Sequence, residues 1–413
     1  MIFLTTLVMA CGFIPMTMFG VAVGGIAHTF HVSLTKMSLY TGDAFATGIF
    51  AAFIPGHSGW FDKRPKVGVT ISMLLAIIPQ LLFPITSSLW AVTILRFLQG
   101  FVIMQLAVFT FQLSGWFRPA ERGISLGFTV GAIAFGGFLG GLLTNALAPL
   151  GWKATMYISG LIMIVGLVVY LIFAKDAPSF MKQVMEAKAK PTAHASIWSQ
   201  PMSWIMGLVQ VPMVWVLFTG GFVTLYALKV GHFTTQQVGT LNIVMGVSGL
   251  LLSILGAWLG DLACKNKTTN REIVNARLMM IIIGNIIMAL AAILLITIGR
   301  LSFDALIFVG ILFEFMWFVS PNYWATPGVV YPTALMGAGA FAMGLISNAG
   351  SPIGAFASTA ILSMGWNGVF ILMAAICIIG IPIALWAMKY PLPSEDPKYT
   401  QTGEEMQPAF EAS

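Results

Sequence analysis

Charge is what this sequence has least of. Only 8% of its 413 residues are Asp, Glu, Lys or Arg, against about a quarter in an ordinary soluble domain, while 58% are hydrophobic. That balance excludes a water-soluble globular fold and makes the chain a polytopic membrane protein. Cysteine is nearly missing: Cys11, Cys264 and Cys377 are odd in number, far apart and without ligand spacing, which excludes a disulfide framework and a metal site. There is no paired histidine–carboxylate cluster, no nucleophile elbow, no phosphate-binding loop and no polar stretch long enough to fold as a catalytic domain. Neither an enzyme nor a cofactor is expected. The N-terminus lacks a basic start and an A-x-A-like cleavage site, so the apolar run from Met1 to Ala27 reads as a first membrane helix and not as a secretory signal. A formal net charge of +6 does not imply nucleic acid, because in a membrane chain the position of the charges matters more than their sum.

What the sequence does have is apolar runs. They fall at roughly 1–27, 38–55, 67–85, 89–113, 124–147, 152–174, 203–228, 236–259, 274–298, 304–325, 333–362 and 366–388, separated by short polar or Gly/Pro breaks. The expected fold is therefore an all-α membrane protein with twelve transmembrane helices. With the N-terminus inside, the cytoplasmic connections take Lys63, Arg64, Lys66, Arg118, Arg122 and the basic residues of 175–190, 265–271 and the tail. The other side takes only Lys36, Lys153, Lys229 and Arg300, which places both termini in the cytoplasm. The one long internal polar stretch, 175–201, divides the chain into residues 1–174, a linker, residues 202–389 and a tail of 390–413. The halves echo each other at an offset of roughly 200 residues: GHSGWFDKRPK at 56–66 with GAWLGDLACKNK at 256–267, and GWKATMY at 151–157 with GWNGVF at 365–370.

Ionisable groups at membrane depth are few, and each is a functional hypothesis by default. Arg96 lies inside the run 89–113 and shares a helical face with Gln99 and Gly100, three and four residues on. Its alternatives are a substrate anion site and a structural arginine held by a carboxylate or by backbone carbonyls. Glu314 falls about ten residues from either end of its helix, where a solute or proton is expected. Asp43, nearer the outer end, is either a proton access group or the partner of Arg96. Arg277 and Asp304 fall in first turns and read as interfacial. Gln105, Gln112, Gln210, Trp215, Tyr226 and Asn285 are further candidates for a polar cavity, and SPNYWATPG at 320–328 is the densest cluster. There Asn322, Tyr323 and Trp324 stand between two prolines that break or bend a helix and free backbone groups. An aromatic belt at the membrane interface is the other reading of Tyr323 and Trp324. Ser347, Asn348 and Ser351 repeat the polar theme in the next run.

These motifs bring the chain to a resemblance that covers essentially all of it. A G-x-x-D-K-R loop stands at Gly59, Asp62, Lys63 and Arg64, with a weaker copy at Gly256, Gly260 and Asp261. R-x-x-Q-G stands at Arg96, Gln99 and Gly100, and WFRPAERGISLG at 116–127 leads into the fifth helix. The chain resembles the major facilitator superfamily. Its departures are Pro65 in the first loop, no base directly after Asp261, and no Gly-Pro pair in the fifth helix. The Y-W-A-x-P run and SNAGSPIG also resemble the anion:cation symporter branch. The resemblance implies two six-helix bundles around a central cavity, access alternating by rocking, and a gating role for Asp62, Arg64 and Asp261. Glycines in the fifth and eleventh helices, spaced small-x-x-x-small, suit close sliding contacts.

The function expected from this is a monomeric secondary transporter in a prokaryotic cell membrane. Its partners are the lipid bilayer, a small organic solute with a carboxylate preferred, and a proton as coupling ion. Arg96, Glu314, Asp43, Gln99, Gln105, Asn322, Tyr323, Trp324 and Asn348 form the candidate substrate or coupling set. A neutral sugar, a cationic or drug-like compound, an anion exchanger and a non-transporting receptor are the alternatives.

Overall fold

The computed structural model describes residues 1–189 and 196–396, and every regular element among them is a helix. In the first half these are α1 (Ile2–Thr29), α2 (Leu34–Ala51), α3 (Pro65–Leu82), α4 (Leu89–Gln99), α5 (Met104–Ser114), α6 (Arg122–Ala146) and α7 (Gly151–Phe173). A short helix, α8 (Pro178–Lys188), follows in the linker. The second half holds α9 (Pro201–Thr219), α10 (Gly221–Lys229), α11 (Thr235–Cys264), α12 (Asn270–Thr297), α13 (Phe303–Phe313), α14 (Phe315–Trp324), α15 (Pro327–Val330), α16 (Met336–Asn348), α17 (Gly350–Leu362) and α18 (Trp366–Lys389). Among the described residues, ten helical stretches are long and apolar enough to cross a membrane, and the first part of α1, Ile2–Met16, is a shorter apolar helix.

Local signals set the helix ends. Thr234 and Thr269 form capping boxes with Gln237 and Glu272, and Ser33 and Ser302 accept from the backbone N–H groups of Lys36 and Ala305. Pro65, Pro178, Pro201 and Pro327 occupy first turns, where the missing N–H has no partner to lose. Pro65, a departure from the family's loop, is thus the residue that starts α3.

Four of the expected helices are interrupted. The fourth tightens into a 3-10 turn over Gly100–Ile103 between α4 and α5, and the seventh breaks at Gly220. The tenth breaks at Glu314 itself, where Trp317 N–H bonds the Glu314 carbonyl at 2.9 Å. The eleventh breaks at Ala349. Such 3-10 steps and breaks free backbone groups and shift the register of side chains on either side.

The helices pack around a continuous apolar core that takes buried residues from both halves. The halves meet along two edges. On one, α6 lies against α11: a Cβ on Gly127 would stand 2.5 Å from the Ala257 Cβ, so only glycine permits the approach. On the other, α2 and its following turn lie against α16 and α17, where the Ser351 hydroxyl donates to the Ala46 carbonyl at 3.0 Å. The amphipathic α8 straps the end of the bundle that carries the linker. Val184, fully buried, packs there with Phe111 of α5 and Met336 of α16, so the strap touches both halves.

Candidate functional site

Several polar groups lie within this apolar body, among them buried Gln210 and Asn285, and three bear on the candidate site. The first surrounds Arg96. Its Nε donates to the Thr41 carbonyl at 3.2 Å and its Nη1 to Gln99 Oε1 at 2.6 Å. Gln99 passes the chain on to Gln80 at 2.7 Å, and Gln80 to Ser159 at 2.7 Å. The guanidinium carbon stands 3.8 Å from the Phe19 ring centre and 4.5 Å from that of Phe45. Aromatic faces attract cations, and amide and carbonyl oxygens accept from them, so among the described residues the partners that hold Arg96 are neutral. Asp43 is not its partner. Asp43 and Phe45 are two residues apart on α2, which turns their side chains about 200° from each other, and it is Phe45 that faces Arg96.

The second group centres on Glu314, which is 4% exposed at the α13–α14 break and is hydrogen-bonded by the Trp317 side chain. Gly249 of α11 lies under it: a Cβ there would stand 2.7 Å from Glu314 Oε2 and 2.6 Å from Trp317. Gln105 in α5 faces Gly12 and the Met73 sulfur, and its Oε1 is buried without a protein partner. Arg96, Gln99, Gln105 and Glu314 therefore all sit inside the packed halves. Asp43 does not; it lines a lateral groove between α2 and α4.

The third group closes the linker end. Asp62 follows the positive-φ turn at Gly59 (φ +69°) and is buried against Lys188 of α8, with Oδ2 2.9 Å from Nζ. Lys188 also donates to the Gly59 carbonyl at 3.4 Å. The carboxylate of Asp62 lies on Gly337 in the first turn of α16, where any Cβ would collide with it and the helix dipole favours negative charge. Burial pushes this carboxyl up to about 6, and Lys188 opposes the rise. Asp261 makes the corresponding contact on the other edge. It accepts from the N–H groups of Gly123 (2.9 Å) and Ile124 (2.7 Å) at the start of α6 and pairs with the fully buried Arg277 at 2.8 Å. Arg277 also donates to the Pro119 carbonyl at 3.2 Å. Arg64 is exposed and takes no part among the described residues.

Between the two acids lies an aromatic plug. Phe53 of α2 stacks on Trp324 at 5.9 Å and meets Phe341 edge-on at 6.1 Å, Phe341 stacks on Phe61 at 5.6 Å, and Tyr323 meets Trp324 edge-on at 5.2 Å. Tyr323 and Trp324 are buried, which excludes the interfacial belt. Asn322 donates to the Gly256 carbonyl at 2.8 Å, tying α14 to α11, and Asn348 donates to the Gly344 carbonyl at 2.8 Å within its own helix. Gln112 donates to Asp176 at 2.6 Å and accepts from Tyr170 at 2.8 Å. The cluster read as substrate-facing is packed in this arrangement as a seal. Sequence reasoning missed Lys188, Gln80 and the pairing of Arg277. For Lys188 a signal exists, in that P-S-F-M-K-Q-V-M-E-A-K places Phe180, Met181 and Val184 on one helical face.

Two acids seated on helix N-termini at one end and, among the described residues, an interior arginine without a carboxylate partner and a buried mid-helix carboxyl give this multi-helix membrane protein the architecture of a solute carrier. The chain belongs to the Major Facilitator Superfamily, whose model matches residues 5–355. It is a transporter by family and not an enzyme. Among solved structures it is similar to the proton:xylose symporter XylE bound to 6-bromo-6-deoxy-D-glucose, at 14% identity and TM-score 0.75, covering 95% of this chain and 96% of that one. It is also similar to the human organic anion transporter MFSD10 (TETRAN), at 12% identity and TM-score 0.70, covering 93% of this chain and 98% of that one. At these identities the likeness is one of fold. No curated protein matches the chain.

Proposed function

We propose that the protein is a secondary active symporter that carries a small organic anion, a carboxylate being the preferred class, together with a proton. In this reading twelve helices cross the membrane. The split helices α4–α5, α9–α10, α13–α14 and α16–α17 each count as one crossing, and residues 1–174 and 202–389 form two six-helix bundles with both termini and the 175–201 linker in the cytoplasm. The linker end is then the cytoplasmic gate, closed by Asp62, Asp261 and the aromatic plug. Access from the opposite side precedes its opening.

The observation that carries the reading is the neutral cage of Arg96, which has no carboxylate partner among the described residues. A cation at membrane depth without a counterion sets a positive interior potential that draws anions. Glu314 in the other half offsets that charge when ionised and restores it when protonated. Loading a proton on Glu314 therefore favours an anion in the space between the halves, which is the coupling that symport needs.

The deciding experiment follows a pH dye outside proteoliposomes as carboxylates, sugars and organic cations are added in turn. Alkalinisation with one carboxylate, absent from empty liposomes and from the Glu314→Gln protein, is the expected result. A response to a sugar or a cation alone, or exchange without proton movement, overturns the assignment.

A further inference from the structure

A lateral groove of about 580 Å³ lies between α2 and α4 at the end of the bundle opposite the linker. Tyr40, Asp43 and Thr47 line it from α2, and Trp90, Ile94 and Phe97 from α4, with Lys36 at its outer margin. Its size is that of sites that hold compact organic molecules, commonly about 300–1,000 Å³. The groove is not the transport path. Phe45, on the far face of α2 from Asp43 and Thr47, turns its ring into the half toward Arg96, and the backbone of Phe45 and Ile49 lies against Gly100. A third flank of α2 meets the second half through Ala46 and Ser351. The groove therefore opens toward lipid, and Trp90 at its rim is 76% exposed.

Asp43 is the anomaly. Its partly buried carboxylate makes no hydrogen bond and no ion pair among the described residues. A carboxylate at membrane depth is costly unless a partner meets it, and among the described residues no side chain of the protein pairs with this one. Lys36 lies on the same face but seven residues away, about 10 Å along the axis, and its ammonium stands over the Tyr40 ring at 5.9 Å. Tyr40, Trp90 and Phe97 line the groove together with Asp43, and aromatic rings can attract cations as well as pack apolar bodies.

We propose that the groove binds a lipophilic organic ammonium compound partitioned into the bilayer, with its charged nitrogen on Asp43 and its apolar body between Trp90 and Phe97. This site is separate from that of the transported solute and stands whether or not the solute is an anion. Two features select a dissolved ligand over a phospholipid headgroup. The apolar lining extends both above and below Asp43, which suits a compact body with a central charge. A headgroup amine sits at the surface with Lys36, and it would have to leave that layer to reach Asp43.

Quenching of Trp90 fluorescence by brominated probes tests this in the full chain, in phosphatidylcholine nanodiscs at neutral pH. Three probes share one body: 4-bromophenethylamine, 4-bromophenethyl alcohol and 4-bromophenylacetate. Subtracting the Trp90→Phe signal isolates Trp90 from the other tryptophans. The amine is expected to half-saturate at a concentration about tenfold below the other two, as a charge-assisted hydrogen bond implies. Asp43→Asn should erase that preference and Asp43→Glu should keep it, which separates loss of the charge from loss of the fold. Equal half-saturation for all three probes, or an amine preference that survives in Asp43→Asn, overturns the site. Loss of amine binding when ethanolamine phospholipid replaces phosphatidylcholine overturns the choice of a dissolved ligand.

Discussion

At the scale of single residues, Arg96 and Asp62 show how burial changes what a charge does. Arg96 is satisfied by a carbonyl, an amide and two rings, so its role depends on the planar fork that reaches all of them. A lysine supplies a point charge without that fork. Arg96→Lys is expected to lower transport kcat/KM about tenfold or more while the protein still folds. Initial-rate uptake measures this, and unchanged kinetics would make the guanidinium dispensable. Asp62 titrates near 6 because burial outweighs Lys188. A carboxyl whose value is raised in one state gives that state stability below the ordinary value, which is lost as pH rises through the raised one. The closed linker end, where Asp62 is buried, should therefore gain population as the pH on that side falls from about 7 toward 4. Thiol accessibility of a cysteine placed in the plug reads this out, and Asp62→Asn should flatten the response. The sign is opposite to what the ion pair alone suggests. Asp261 gives the complementary case: Asp261→Asn leaves the fully buried Arg277 uncompensated, and removing one member of such a pair costs about 3–5 kcal/mol. Loss of thermal stability in nanodiscs checks it.

At the scale of elements, close glycine contacts decide what moves. Gly127 sets the α6–α11 distance, and a larger residue there overpacks by about 1–3 kcal/mol. Gly127→Leu should hold that edge apart and raise labelling of a cysteine at Ser253, whose hydroxyl now donates to the Gly127 carbonyl at 2.9 Å. Unchanged labelling would show that the edge has slack. The elements themselves were legible. Each expected apolar run overlaps one α-helix or two successive α-helices, and ten stretches among the described residues have the length and polarity of a membrane span, a feature that announces itself because a span must satisfy its backbone internally. The caps at Thr234, Thr269 and Ser302 stand in the sequence as well. What was not legible was partnership. Asn322, Tyr323 and Trp324 have the composition of a binding site, and nothing in one chain's sequence tells a seal from a cavity when the same aromatics serve both. Asp62 was legible as the acid of a loop motif, but Lys188 was not legible as its partner, since the two are 126 positions apart and only the fold of α8 joins them.

At the scale of the whole molecule, the acid contacts and the aromatic plug that join the halves lie toward the linker, whereas α11 residues such as Gly239 and Thr240 at the other end are exposed. In a background with Cys11, Cys264 and Cys377 replaced, all three being buried, a cysteine at Thr240 should react with an impermeant maleimide from one face of the membrane. A cysteine at the fully buried Ala340 should react from neither face until solute and a proton gradient are supplied. Equal reactivity at both positions without solute would mean that the closed end is not the resting one. The two edges of the closure also differ in what anchors them. Asp261 is fastened to Arg277 and to two backbone amides, all within transmembrane helices, whereas Asp62 is fastened to an eleven-residue helix that lies outside them. In the proposed cycle one edge then turns as a hinge while the other swings as a door. In that proposed reading the bolt of the door lies on the cytoplasmic side, and the tempo of the carrier would be set by a piece of chain away from what it carries.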